Sequence, residues 1–174
     1  MFGFRDSEGN DSGLHVAAAP LAVAIFGVIL LALPLRLFEA AAPTPLIPLL
    51  AVYHWAARDP DLFPAPAVLG VGLLQDLLLS APFGLFACAY LATRWIVLSQ
   101  DDFLHGRDRT TLWGGMALVG FAAGLILWLA ACARAGGFVS AAPVVTQIGL
   151  TVLLYPWASM VFDRLEGRLE GEVR

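Results

Sequence analysis

Charged residues fall along this chain so that long uncharged blocks alternate with short polar breaks. No charge interrupts Val16 to Leu35, Ala40 to Ala57, Thr110 to Ala133 or Ala135 to Phe162. Leu62 to Gln100 is broken only by Asp76 and Arg94, and it is long enough for two helices. About 20 apolar residues in helical form cross the hydrocarbon core of a bilayer. The pattern therefore predicts six spans, roughly over 16–35, 44–57, 62–80, 82–100, 112–133 and 142–162. The third and fourth are divided at Ala81-Pro82-Phe83-Gly84. Proline lacks a backbone donor and clashes with the preceding turn, and glycine eases a tight reversal. The second block is short, and Pro43, Pro45 and Pro48 crowd its start. Proline is tolerated in a first helical turn, so a span from Pro45 and a re-entrant or interfacial segment are both open.

Composition agrees with a membrane class. Hydrophobic residues make up 59% of the chain and charged residues 14%, against about 45–50% and about 25% in soluble domains. The reading is an all-α membrane protein, a bundle of about six transmembrane helices over residues 16–162, with tails at 1–15 and 163–174. A cleaved signal peptide is not expected. Asp6, Glu8 and Asp11 lie near Arg5, whereas a signal begins with a positive region and a shorter apolar stretch.

Arginine placement sets an orientation, since cytoplasmic loops collect positive charge. With six spans, Arg5, Arg58, Arg107, Arg109, Arg164, Arg168 and Arg174 fall on one side, leaving Arg36 and Arg134 on the other. Arg94 can snorkel toward the first group. Both termini are then cytoplasmic, in a multi-pass membrane protein. Tyr53, Trp55, Trp95, Trp113, Tyr155 and Trp157 fall near the same span ends, where amphipathic rings settle.

Little in the sequence resembles a catalytic or metal site. Asp76 is an ionisable residue within an expected span, where insertion costs about 2.5–3.5 kcal/mol, a cost lowered by its shallow position about 7.5 Å before the turn at Ala81. Gln75 beside it adds donors and an acceptor. Asp76 reads either as a proton, ion or partner site or as a polar clamp between helices, and the clamp is preferred. On that reading, Asp76→Asn is expected to preserve folding. Helical rise puts Arg94 too far across the hairpin to pair with Asp76, so Arg94 is expected to anchor the cytoplasmic end of its span. His54 has no other ligand at metal spacing, and His15 and His105 sit in polar flanks. No serine has a histidine partner within helical reach, so no metal, cofactor or enzymatic activity is expected. Cys88 and Cys132 read as small buried hydrophobes, and no basic patch points to nucleic acid. Gly120 and Gly124 form a small-xxx-small pattern suited to close helix packing.

The segment from Pro45 to Leu85 carries a family resemblance. A proline-rich block ends in Tyr53-His54-Trp55-Ala56, followed by Arg58-Asp59-Pro60-Asp61 and then by Gly70-Val71-Gly72-Leu73-Leu74-Gln75-Asp76-Leu77-Leu78-Leu79-Ser80-Ala81-Pro82-Phe83-Gly84-Leu85. A glycine, apolar residues, an aspartate, a small apolar stretch and a Pro- or Leu-Gly-Leu turn resemble the pattern of the rod shape-determining MreD family. Leu154-Tyr155-Pro156-Trp157 running to Phe162-Asp163-Arg164-Leu165 resembles that family's last span, while the acidic N-terminal tail departs from it. The resemblance implies a bundle similar to the substrate-binding components of energy-coupling-factor vitamin transporters. It also implies a non-catalytic role in the cell-elongation complex that supports peptidoglycan synthesis and cell shape. The implied partner is an MreC-like single-span protein, in an assembly with the MreB filament and wall-synthesis enzymes. Gln75, Asp76, Pro82 and Gly84 are then assembly-related positions. A vitamin-type transport component is the first alternative, and a lipid-handling enzyme the second.

Overall fold

The computed structural model describes residues 8–32, 44–100 and 109–172. Arg5, Arg36, Arg107 and Arg174, on which part of the expected orientation rests, lie outside them. The described residues form six helices and no strand: α1 (Glu8–Ala32), α2 (Ile47–Arg58), α3 (Ala65–Leu78), α4 (Leu85–Ser99), α5 (Arg109–Ala135) and α6 (Ala142–Glu172). Two stretches, Thr110–Ala135 in α5 and Ala142–Leu165 in α6, are long and apolar enough to cross a membrane.

The helix boundaries depart from the expected spans in physically interpretable ways. α1 starts at Glu8 instead of residue 16, and α6 continues to Glu172 instead of 162, so both helices run on through polar sequence. The middle helices are shorter than expected. Pro64 stays extended ahead of α3 (φ −66°, ψ 157°), and a proline sits in that helix's first turn, which delays its start to Ala65. α2 has 12 residues, a length of about 18 Å, against about 30 Å for a bilayer core.

α2 forms the centre of the bundle. Every residue from Pro48 to Ala57 is buried. It packs against α1, α4, α5 and α6, while α3 pairs most extensively with α4. The Tyr53 hydroxyl donates to the Leu112 carbonyl at 2.7 Å, and its ring meets Tyr155 edge-on at 5.2 Å. This corrects the expected aromatic belt. Tyr53, Trp55 and Tyr155 are core residues, whereas Trp95, Trp113 and Trp157 face outward. The short second block is apolar because it is enclosed by other helices. Its proline-rich start is pinned to α6: the Leu46 N–H donates to Thr151 Oγ1 at 2.9 Å, and Gln147 Nε2 to the Thr44 carbonyl at 3.1 Å.

Proline inside α6 creates a need that α5 answers. Pro156 has no N–H, so the carbonyl four residues earlier loses its helical donor. That carbonyl belongs to Val152, and the Trp113 indole N–H donates to it at 2.8 Å. Gly120 and Gly124 lie on the same α5–α6 seam. A Cβ on Gly120 would sit 3.2 Å from the Ile148 and Val152 side chains, and one on Gly124 2.9 Å from Ile148. Their small size brings two helices of this chain together. The outer surface carries large apolar side chains, among them Phe83 at 80% exposure, Trp157 at 75% and Phe121 at 70%.

Candidate functional site: two polar knots in an apolar bundle

The first knot closes the α3–α4 hairpin. α3 ends in a Schellman turn: the Ala81 N–H returns to the Asp76 carbonyl at 2.9 Å and the Ser80 N–H to the Leu77 carbonyl at 3.4 Å. Ser80 takes the left-handed position of that turn at φ 51°. Pro82 carries the chain over, and its carbonyl accepts the Leu85 N–H at 3.0 Å. Gly84 precedes α4 at φ 91°, a conformation that glycine adopts without steric cost.

Asp76 spans this turn from within. Its Oδ2 accepts the Gly84 N–H at 2.8 Å, and its Oδ1 accepts the Phe86 N–H at 2.9 Å. The residue is 1% exposed. The first N–H groups of a helix have no partner within the helix and carry partial positive charge. A carboxylate placed there satisfies two of them and meets a favourable field. Asp76 thus caps α4 from the last turn of α3, and both of its oxygens are engaged. The expectation for Asp76→Asn changes as a result. Asn has one acceptor oxygen and one donor nitrogen, so one of the two N–H groups would face another donor.

Gln75 lies beside it, also buried, and its Oε1 accepts a short hydrogen bond from the Tyr90 hydroxyl of α4. Its Nε2 is buried with no hydrogen-bond partner among the described residues. Below the knot the two helices touch closely. A Cβ on Gly72 would come within 2.6 Å of the Ala87 nitrogen, closer than atoms can pack. Gly72 is the glycine of the quoted segment that the close approach requires, for a Cβ on Gly70 meets nothing within 4 Å. Asp76, Gln75, Pro82 and Gly84 therefore belong to one hairpin, while Gly120 and Gly124 serve a separate seam.

The second knot lies at the opposite end of the hairpin. Arg94 Nη1 donates to the Pro60 carbonyl at 3.1 Å, tying α4 to the loop before α3 and away from Asp76. Nearby in sequence, Arg58 Nη2 approaches Asp163 Oδ1 at 3.0 Å. His54 Nε2 is 3.6 Å from the same oxygen. The His54 ring packs edge-on against Phe162 at 5.1 Å and against Trp55 at 5.4 Å. Sequence reasoning treated His54 as isolated because its carboxylate neighbour stands in the last helix. One signal could have found the pair: six alternating spans place the ends of the second and sixth on the same side.

The two cysteines depart from expectation. Both are free, Cys88 is exposed on α4 and Cys132 half-buried, so neither is a core residue. Among the described residues no group of three or more His, Cys, Asp or Glu side chains is gathered as a metal site would need. No family model, curated protein or solved structure matches the chain.

Proposed function

We propose that this chain is a multi-pass inner-membrane scaffold of the MreD type, with both termini cytoplasmic. In this reading it supports peptidoglycan synthesis and cell shape by binding an MreC-like single-span partner, and it performs no reaction itself. The observation that carries the proposal is the engagement of Asp76. The Asp76 carboxylate, 1% exposed at the end of α3, uses both oxygens to cap a neighbouring helix, which suits a clamp better than a proton carrier. Thr151 likewise joins helix to helix.

The surface supports the membrane part of the reading. Phe26, Leu77, Phe83, Trp95, Phe121 and Trp157 all project outward, as expected of side chains that face lipid or another helix. In lipid, helices associate through close packing and interhelical hydrogen bonds, so an outer surface of this kind can recruit a single-span partner without a soluble domain. Arg58 and Arg94 gather at the end opposite the hairpin turn, which fits a cytoplasmic assignment of that end.

Photoreactive side chains placed from Leu79 to Phe83 and along the outward faces of α5 and α6 test the proposal. They are expected to trap an MreC-like protein in cells that co-express the pair. Absence of any crosslink, with both proteins inserted in the same membrane, contradicts direct binding. Turnover of a lipid-linked wall precursor by the purified protein would favour an enzyme instead.

A further inference from the structure

The hairpin turn and the C-terminal turns of α5 flank an open surface cleft of about 540 Å³, within the usual volume range for small-molecule sites. Its walls are apolar, with Leu79 and Leu85 on the hairpin side and Leu127 on α5. Small side chains such as Ala131 keep the space open. Two polar side chains line it, Ser80 and Arg134, and both are exposed. Among the described residues, the Arg134 guanidinium makes no ion pair or hydrogen bond. No lining residue is acidic, and the Asp76 carboxylate is occupied by the N–H groups of α4.

From this charge pattern we infer that the cleft is a binding site for an anionic, phosphate-headed lipid. A cation and a hydroxyl stand beside a hydrocarbon-lined cleft. Arginine matches phosphate geometry through paired N–H donors, the Ser80 hydroxyl can donate a further hydrogen bond, and the leucines accept an acyl chain. With no acid in the wall, nothing there offsets the positive charge of Arg134, so an anionic head is favoured over a zwitterionic one. The site gives the hairpin turn a lipid ligand in addition to any protein partner. This inference rests on the membrane placement proposed above but not on the identity of the partner.

The test uses the full chain purified in detergent, with native mass spectrometry counting retained dioleoyl phosphatidylglycerol and dioleoyl phosphatidylcholine. The wild type is expected to prefer phosphatidylglycerol about tenfold, as one charge-assisted contact allows. Arg134→Gln should remove the preference and Arg134→Lys keep most of it. Ala131→Leu, which narrows the apolar part, should lower retention of both lipids and serves where Arg134→Gln does not fold. Equal lipid preference in wild type and Arg134→Gln overturns the site. Displacement of the lipid by millimolar inorganic phosphate reassigns the site to a free anion and overturns the lipid claim. A chain that stays monodisperse without detergent overturns the membrane reading, and this inference with it.

Discussion

At the turn end of the hairpin, Asp76 reaches donors eight and ten residues further along the chain. At the other end, Asp163 of α6 meets Arg58 and His54 of α2. The first carboxylate is 1% exposed and bonded to backbone N–H groups. The second has a side chain 26% exposed and meets side chains. A buried carboxylate that alone satisfies two helix-terminal donors leaves both stranded when it is removed. An ion pair whose arginine is 39% exposed is in part replaced by water. Each knot centres on one aspartate, and the two should differ in what they contribute to stability.

The largest effect is expected at Asp76. Asp76→Leu should cost about 2–4 kcal/mol, from a lost cap and stranded donors. Asp76→Asn, which keeps one acceptor, should cost about half as much. Thermal melts in detergent followed by circular dichroism measure both, and a wild-type melt for the leucine variant would remove the basis of the contrast. Next comes Gly72→Val, which pushes a side chain into the Ala87 backbone. Overpacking of this kind costs about 1–3 kcal/mol, and the same melts should fall accordingly.

At the far end, Asp163→Asn should cost only about 0.5–1 kcal/mol, because its partner Arg58 is 39% exposed and water screens the pair. A loss there as large as that of Asp76→Leu would show that the two knots are equivalent. The smallest change is expected from the double replacement Gln75→Leu with Tyr90→Phe. It removes a buried donor that has no acceptor among the described residues, together with the hydroxyl that bonds Gln75. Removing both partners of a buried hydrogen bond is near neutral, so the double variant should melt close to wild type. A steep loss would mean that Gln75 and Tyr90 hold something further, such as a buried water.

The same contrast explains what the sequence disclosed. The hairpin turn was legible because its determinants are local, Pro82 and Gly84, whereas Asp76 was read as a clamp between helices and its capping of the next helix through Gly84 and Phe86 was not foreseen. Asp163 beside His54 was not legible, since nothing in either segment names its partner until the packing of α2 against α6 is known. Pro156 announced an orphaned carbonyl at Val152, yet only the fold identifies Trp113 as the donor. The apolar character of the second block was read as a short span or a re-entrant or interfacial segment, and the structure adds that α2 is enclosed by other helices. Hydropathy reports removal from water and does not distinguish a bilayer from a protein interior.

The central claim, that more than α5 and α6 cross the membrane, is tested most directly by thiol labelling in intact cells. Single cysteines would be introduced as Phe83→Cys in the hairpin turn and as Leu165→Cys near the end of α6, in a Cys88→Ser, Cys132→Ser background. A membrane-impermeant maleimide should label the Phe83→Cys protein from outside and reach the Leu165→Cys protein only after the cells are opened. A Phe83→Cys protein shielded until lysis, with the chain stably inserted, would place the hairpin turn on the cytoplasmic side and contradict the account.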